Sequence, residues 1–340
     1  MHLPTRPISR PDPRRRPPAA GTLLAMAAAI AALPWAPAAF AQAWPAKPMR
    51  MILSYPPGGA TDTLGRIAAK ALSDSLGTTI VVENRPGASG SIGTAACVKS
   101  PADGYTMCVV SVAQSTASRL SSTAGFDSLK DFSHVSLIAT MPLLVLVHPS
   151  LPVKNVSQLV ALARRNPGAL SYASSGGGAG PHLATELFKQ MTGTDILSVT
   201  YKGAGAQLTD QLAGRIELAF APAVGFVHFV KEGKLRALAV STRQRAPLFP
   251  DTPTVSESGV PGYEASSWQG LSMPAGVPRD IVNRLSGELN RGLKTAAVRD
   301  RIIDMGGIPT GNTPEEFTAF FQSESDKWVK VARTARVVVD

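Results

Sequence analysis

The chain has 340 residues, a formal net charge of +10 at pH 7 and only two cysteines. Its Lys and Arg residues are spread over several predicted helices with little aromatic interleaving, which argues against nucleic-acid binding, because that function needs a concentrated basic surface. A mildly basic surface instead favours weak attraction of anionic solutes. The length allows a large core and indicates two lobes rather than one.

The N-terminus has the pattern of a signal peptide. Arg14–Arg16 precede an apolar segment at 23–33, and Ala39–Ala41 then offers a cleavage site before Gln42. The apolar segment is short for a membrane span. Removing residues 1–41 deletes five Arg and one Asp, which lowers the formal charge from +10 to +6. We expect a soluble, exported protein, and the arginines leave both the general secretory and the twin-arginine route open.

Strands and helices alternate along the rest of the chain, which predicts open α/β sheets. Apolar runs bounded by Gly or Pro predict strands at 49–55, 79–82, 105–111, 143–148, 170–173, 196–201, 217–221 and 235–241. Helical spacing predicts helices at 63–77, 91–99, 156–165, 206–212, 224–231, 281–293 and 297–305, and from residue 181. Past Trp268 the pattern is mostly helical, and Thr313–Glu316 predicts a capped helix start.

Two widely separated segments share one pattern, an apolar strand followed by a glycine-rich turn and an amphipathic helix. The turns are Pro56–Asp62 and Ser174–Gly180. A glycine-rich turn at a helix start leaves backbone N–H groups unpaired near the positive end of the helix dipole. Each turn is therefore predicted to bind an anion. Because neither is near a nucleophile or a metal-binding cluster, the pattern favours a protein that binds a small anion without transforming it.

Several residues of the first turn have two interpretations. Gly58 and Gly59 either let a ligand approach the backbone or only permit a tight turn, and the helix that follows favours the first role. Asp62 would repel a bound anion, so we expect it to cap the helix and orient the loop.

Other polar or aromatic residues also divide between ligand and structural roles. Ser174 and Ser175 can bind a carboxylate or cap local backbone, and the sequence does not choose between these roles. A structural hydrogen bond is expected for His182. Trp268 is expected to fill the core rather than stack on a ligand, and Lys202 is expected to be solvated.

The two cysteines leave alternatives open. Cys97 lies on a predicted helix and Cys108 in a predicted strand, both in apolar surroundings. A cysteine pair in an exported protein can form a disulfide. The interpretation as two separate buried core thiols is slightly preferred.

The sequence lacks the motifs of the common catalytic and cofactor-binding sites. Neither glycine turn has the Gly-Lys-Ser/Thr ending of a phosphate-binding loop or the dinucleotide-binding spacing, and no metal-ligand spacing is present. An exported serine hydrolase would need Ser89 or Ser174 in a Gly-x-Ser-x-Gly turn, and neither has it. We therefore expect no cofactor, no metal and no enzymatic activity.

An ordered set of motifs along the whole mature chain resembles the Bug receptors, the periplasmic solute-binding subunits of tripartite tricarboxylate transporters. No single motif carries this resemblance, but the ordered set is specific. The motifs are Tyr55–Asp62, Val82–Ala88, Pro101–Thr106, His182–Ala184, Glu186–Phe188, Tyr201–Gly203, Leu235–Val240 and Asp251–Val255.

The resemblance implies a two-lobed Venus-flytrap fold of type II in which the chain crosses the hinge twice. Lobe 1 would hold 44–144 plus 269–340, and lobe 2 would hold 145–268. Both glycine turns would face the cleft between the lobes and hold a ligand carboxylate through backbone amides and ordered water. The resemblance further implies a periplasmic monomer that captures a small carboxylate for the membrane subunits of such a transporter. A ligand sensor that docks on a signalling protein is the alternative.

The sequence departs from the family pattern at two positions of the expected site. Ala221 follows a strand after which family members commonly carry an aspartate, and Ser111–Ser115 replaces a Thr-Asn-Gly-like loop. The missing acid favours a ligand without an amine, but the identity of the carboxylate stays open. The candidate ligand-binding residues are Pro57, Gly58, Gly59, Ala60, Thr61, Asp62, Gln114, Ser174, Ser175, Gly178 and Ala221.

Overall fold

The structure is a computed structural model that describes residue 2 and residues 44–174 and 176–337. The predicted signal peptide at 1–41 and Ser175 lie outside the described residues, apart from His2. Within the described part of the chain, no helix combines the length and the apolar character that a membrane crossing requires.

Strands and helices alternate through the described residues, as the sequence predicted. The strands are β1 (Met49–Leu53), β2 (Ile80–Asn84), β3 (Thr106–Val110), β4 (Phe132–Val147), β5 (Ser171–Ser174), β6 (Leu197–Thr200), β7 (Leu218–Pro222), β8 (Arg236–Val240), β9 (Ser266–Pro274) and β10 (Ile308–Pro309). The α-helices are α1 (Ala60–Leu76), α2 (Ser91–Val98), α3 (Val112–Leu120), α4 (Val156–Arg165), α5 (Gly180–Thr192), α6 (Ala204–Leu212), α7 (Val227–Lys231), α8 (Arg279–Lys294), α9 (Ala296–Asp304) and α10 (Pro314–Ala335). A short 3-10 helix, Ala88–Gly90, precedes α2.

Two strands differ most from the sequence prediction. β4 is 16 residues long, whereas only its second half was predicted. β9 was not predicted as a strand, because the sequence after Trp268 reads as helical. Helix α3 was also missed, since its Ser, Thr and Ala residues give no strong helical periodicity.

β4 joins two groups of strands into one continuous sheet. The strand order is β2-β1-β3-β9-β4-β7-β5-β6, and β8 and β10 also pair with β4. The first part of β4, Phe132–Pro142, pairs with β9, whereas Leu143–Val147 pairs with β7 and β8. The chain therefore passes between two half-sheets within β4 and returns at the start of β9. This is the mixed α/β architecture with two crossings that the resemblance implied.

Each half-sheet has a parallel group whose strands end at one edge. β1 is parallel to both β2 and β3, and β5 is parallel to both β6 and β7. The carboxyl ends of parallel strands meet at the same edge of a sheet, where ligands of open α/β sheets bind. The turns that follow β1, β2 and β3 therefore form one group, and those that follow β5, β6 and β7 form another.

The late helices pack back onto the earlier part of the chain. α8 lies so close to α1 that a Cβ atom added to Gly292 would lie 2.9 Å from Ala71 Cβ. α10 begins at the predicted capping box, in which Thr313 N–H donates to Glu316 Oε2 over 2.9 Å. It contacts α5 as well, because Gln190 Nε2 donates to the carbonyl of Val331 over 2.9 Å.

Cys97 and Cys108 form a disulfide that links α2 to β3, with their Cα atoms 6.1 Å apart. Both residues are fully buried. The predicted burial is confirmed, and the preferred interpretation as separate thiols was wrong. The sequence could not decide this, because the distance between a helix and a strand depends on how the helix packs on its own sheet.

Candidate ligand-binding site

The first glycine turn presents bare backbone at the start of α1. Gly59 precedes the helix with φ −86° and ψ 175°, and no side chain caps the helix. Gly58 has the positive φ of the turn, +91°. A Cβ atom added to either glycine would meet no atom within 4 Å. The space beside both glycines is therefore open, and an anion that enters it can reach the unpaired N–H groups of a helix start.

The Asp62 carboxylate holds this turn in place through hydrogen bonds. Its Oδ2 accepts a hydrogen bond from Gly58 N–H over 3.1 Å, and its Oδ1 accepts from Arg66 Nε over 3.0 Å and from Asn84 Nδ2 over 2.9 Å. Burial raises the pKa of the Asp62 carboxyl, but the hydrogen bonds from Arg66, Asn84 and Gly58 outweigh it and leave the pKa below its usual value. The carboxylate is fully engaged with the protein, which confirms the predicted orienting role. The other part of the prediction, that Asp62 caps the helix, was wrong, because no side chain caps α1.

The turn after β2 adopts an unusual backbone that the sequence did not reveal. Gly87, Ala88, Ser89 and Gly90 have φ values of 129°, 46°, 49° and 95°. Gly90 N–H donates to the carbonyl of Gly87 over 2.9 Å, and Tyr55 Oη donates to the carbonyl of Ser89 over 3.0 Å. Left-handed backbone is costly for residues that carry a Cβ atom, so this turn is strained at Ala88 and Ser89.

Gln114, at the start of α3, faces this strained turn. Its Oε1 accepts from Ser111 N–H over 2.9 Å and from Ser111 Oγ over 2.8 Å. These bonds fix the amide so that its Nε2 approaches Gly90, where an added Cβ atom would overlap it. Gln114 is 2% exposed. The structure therefore brings this predicted site residue beside the Ser89 turn.

The second glycine turn precedes α5 and is supported from inside. Gly176 and Gly178 have φ values of 104° and 81°. Ser174 is fully buried, and its Oγ accepts from Gly176 N–H over 3.1 Å. Ser174 therefore caps local backbone, which is one of the two roles that the sequence left open. No side chain caps α5 at Ala179, so the helix start is again bare backbone.

His182 anchors Ser174 within a buried network. Its Nδ1 lies 2.8 Å from Ser174 Oγ and 3.1 Å from Tyr172 Oη. Tyr172 Oη donates to Glu186 Oε1 over 2.8 Å, and Lys189 Nζ lies 2.8 Å from the same oxygen. Burial lowers the pKa of His182, Glu186 raises it and Lys189 lowers it, with a net decrease. The predicted structural hydrogen-bonding role of His182 is confirmed.

The two groups of turns are in contact. A Cβ atom added to Gly176 would lie 3.0 Å from Ser89 Oγ. A Cβ atom added to Gly180 would lie 3.4 Å from Val112 Cγ2 and 3.9 Å from Ser267 Oγ. The start of α5 therefore lies against the start of α3 and of β9. This places the second glycine turn opposite the turns that follow β2 and β3.

Other predicted residues lie in different surroundings. Ala221 lies in β7 and is paired with Leu144 of β4. It is 2% exposed and belongs to an apolar cluster. Trp268 is fully buried and donates through Nε1 to Glu324 Oε2 over 2.8 Å, which confirms its predicted packing role. Lys202 is exposed just before α6, as predicted.

Gln269 is a buried polar residue near the crossing in β9 that the sequence prediction missed. It is 2% exposed. Its Nε2 donates to Ser267 Oγ over 3.3 Å, whereas its Oε1 has no partner among the described residues. A buried acceptor of this kind can receive a hydrogen bond from water or from a ligand hydroxyl.

One surface cavity lies away from the turns. A cavity of about 330 Å³ is lined by α4, the end of α5 and the segment 258–261. None of the turn residues lines it. Within 44–174 and 176–337, no group of three or more His, Cys, Asp or Glu residues is arranged to hold a metal ion.

Two α/β half-sheets joined through β4, a chain that returns to the first of them at the start of β9, and bare helix starts at the facing edges are the features of a periplasmic binding protein. The model of the tripartite tricarboxylate transporter family receptor matches residues 64–336. The chain belongs to this family and is a solute-binding receptor of it, as the sequence motifs indicated.

Relatives and solved structures of this family cover most of the chain. Protein BugT of Bordetella pertussis is 36% identical over 295 residues, which are 86% of this chain and 90% of BugT. The structure of R. palustris Rpa4515 with adipate has a TM-score of 0.82 and 37% identity, and covers 87% of this chain and 99% of that chain. The structure of MatC from Rhodopseudomonas palustris with bound malate has a TM-score of 0.79 and 28% identity, and covers 85% of this chain and 99% of that chain.

Proposed function

We propose that this receptor captures a small carboxylate between the facing turns and delivers it to the membrane subunits of a tripartite tricarboxylate transporter. The observation that carries the proposal is the pair of uncapped helix starts at Gly59 and Ala179. Backbone N–H groups at a helix N-terminus bind carboxylates without a charged side chain. The structures of similar proteins with adipate and with malate support this ligand class.

The proposed contacts are mainly backbone groups. Ala60, Thr61 and Gly178 would offer main-chain N–H groups, and Gln114 would offer its Nε2. Pro57, Gly58 and Gly59 would allow close approach of the ligand, since proline has no N–H group and the Gly58 N–H already donates to Asp62. Asp62 and Ser174 would hold the turns in shape rather than contact the ligand, since their side chains are already hydrogen-bonded. Ser175 stays a candidate from the sequence alone.

The ligand is proposed to lack an amine. The one acidic side chain at the first turn, Asp62, is fully engaged with Arg66, Asn84 and Gly58. Ala221 supplies no carboxylate either. Burying an unpaired ammonium group costs several kcal/mol. Succinate should therefore bind more tightly than aspartate. The buried, apolar surroundings of Ala221 make Ala221→Asp an unsuitable test of this preference, because the new carboxylate would itself be buried without a partner.

We further propose the lobe boundaries 44–144 plus 269–340 and 145–268, and a monomer exported to the periplasm by residues 1–41. The change of pairing partner between Pro142 and Leu143 of β4 supports the first boundary. Family membership supports the location.

A carboxylate titration of paired variants tests the proposal. Calorimetry of the mature protein with adipate, malate, succinate and aspartate identifies the ligand that binds best. Gly59→Val should weaken that binding at least tenfold, because the extended backbone of Gly59 accepts valine and the new side chain would fill the open space over the helix start. Gly287→Ala is the control, because a Cβ atom at this exposed α8 position also meets nothing within 4 Å.

Equal affinity of the Gly59→Val and Gly287→Ala proteins would show that the first turn is not part of the site. Absence of binding to any carboxylate by the unmodified protein would overturn the proposed ligand class. A thermal shift provides an independent readout, because a ligand at 100 times its Kd adds about 2.7 kcal/mol of stability.

A further inference from the structure

We propose that Ser89 is a ligand-binding residue and that the strained turn Gly87–Gly90 exists to present its hydroxyl between the two groups of turns. This inference rests on the proposed function and adds to it a side-chain donor from the turn after β2. The ligand class is the same, a carboxylate, which the Ser89 hydroxyl would bind on the side facing the second glycine turn.

The backbone conformation of the turn is the first observation. Ala88 and Ser89 both have left-handed φ values, 46° and 49°. Glycine would adopt this conformation at lower cost at either position. Non-glycine residues held in such conformations concentrate at ligand-binding sites, where the side chain is needed. Ala88 is exposed, whereas Ser89 is half-buried, so Ser89 is the residue whose side chain faces the protein.

The surroundings of the turn fix this conformation. Tyr55 Oη donates a hydrogen bond to the carbonyl of Ser89 over 3.0 Å. A Cβ atom on Gly87 would lie 2.6 Å from Ile92 Cδ1, and one on Gly90 would overlap Gln114. The turn is therefore packed tightly on both sides of Ser89. Such packing holds the hydroxyl in place before a ligand arrives, which lowers the entropic cost of binding.

The direction of the Ser89 hydroxyl is the second observation. Its Oγ lies 3.0 Å from the place where a Cβ atom of Gly176 would be, and it has no hydrogen-bond partner among the described residues. A hydroxyl group can donate one hydrogen bond and accept two. At this position it can donate to a carboxylate oxygen that is also held by the amides of the second turn. One ligand would then bridge the turn after β2 and the turn after β5.

Three variants separate the effect of the Ser89 hydroxyl on binding from the effect of the backbone strain on stability. Ala88→Gly relieves strain and keeps the hydroxyl, so Tm should rise by about 1–3 °C and the Kd for adipate should stay within twofold. Ser89→Gly relieves the same strain and removes the hydroxyl, so Tm should rise similarly while the Kd increases at least tenfold. Ser89→Ala should increase the Kd to a similar extent without the gain in Tm.

The comparison distinguishes the two proposals. If the unmodified protein binds adipate and Ser89→Gly binds it as tightly as Ala88→Gly does, then Ser89 is not a ligand-binding residue and the proposed function stands. If the unmodified protein binds none of adipate, malate and succinate, the proposed function fails and this inference fails with it.

A chemical readout checks the location of the side chain independently of affinity. In Ser89→Cys the new thiol should react with iodoacetamide. The reaction reports on position 89 alone, because Cys97 and Cys108 are joined in a disulfide. Saturating adipate should slow this reaction at least tenfold. An unchanged rate with bound adipate would overturn the inference, because the side chain at position 89 would then lie outside the ligand site.

Discussion

His134 is a buried titratable residue outside the ligand site. It packs among Phe132, Phe317 and Phe321, and its Nδ1 lies 2.9 Å from Ser272 Oγ. Burial lowers the pKa of His134 from 6.5 to about 4. The ring is therefore neutral in the folded protein at pH values where an unfolded chain would protonate it.

We expect this difference to destabilise the protein in acid. Between pH 6.5 and about 4 the unfolded state binds more protons than the folded state, so stability falls as the pH is lowered through this window. From pH 7 to pH 5 His134 should contribute a loss of about 2 kcal/mol. Urea unfolding at both pH values measures it.

His134→Asn should reduce this loss, whereas His228→Gln, at an exposed position, should not. Part of the pH dependence of stability should remain in His134→Asn, because the pKa of His182 is also lowered by burial. The same loss of stability from pH 7 to pH 5 in His134→Asn as in the unmodified protein would contradict the buried-histidine explanation.

At the scale of secondary-structure elements, the contact between β9 and α10 depends on one glycine. A Cβ atom on Gly270 would overlap the ring of Phe317. Gly270 is also paired with Val110 of β3 and with Leu137 of β4, so the strand is held on both sides. It cannot easily shift to relieve such an overlap.

Gly270→Ala should therefore lower the free energy of unfolding by about 1–3 kcal/mol. Combining it with Phe317→Leu should give a smaller loss than the sum of the two single changes, because the shorter side chain leaves room for the new methyl group. Denaturant unfolding of the four proteins in this cycle measures the coupling. Additive losses would show that the overlap is relieved elsewhere.

The elements differ in how much of them the sequence could predict. β1, β5 and β7 are short apolar runs, so their patterns predicted them. β4 pairs in both half-sheets, and β9 begins where the chain returns to the first one, so the surroundings of both strands change along their length. Their patterns therefore mix buried polar residues such as Ser136 and Gln269 with apolar ones, and no single periodicity describes them.

The glycine turns were also predictable, because a bare helix start has a local sequence pattern. The Ser89 turn was not, since its positive φ values depend on Tyr55, Ile92 and Gln114, which lie elsewhere in the chain. The proximity of Ser89 to Gly176 follows from the order of the strands, which local patterns do not contain.

At the scale of the whole molecule, the two half-sheets are joined by the continuous strand β4 and by α10. β4 pairs with β9 in its first part and with β7 and β8 in its second. Outside the sheet, α10 hydrogen-bonds to α3 through Arg119 and Ser325 over 3.0 Å and to α5 through Gln190 and Val331 over 2.9 Å. A change in the angle between the half-sheets must therefore act on these shared elements.

We expect a bound carboxylate to favour the closed arrangement, because each group of turns offers only part of the site. Small-angle scattering of the protein should give a smaller radius of gyration with saturating adipate than without it. Gly59→Val at the same adipate concentration is the control and should show less change. An identical profile for the unmodified protein with and without bound ligand would rule out closure on binding.

The position of β9 between β3 and β4 has a consequence for how the chain folds. His134 and Ser272 are hydrogen-bonded although they are 138 positions apart in sequence. The first half-sheet cannot be completed until the segment Ser266–Pro274 arrives, and such long-range pairing makes folding slow. A nascent chain therefore keeps an incomplete sheet through most of its synthesis. Under the export proposed for this chain, the delay would lengthen the time during which an incompletely folded chain is available to the export machinery.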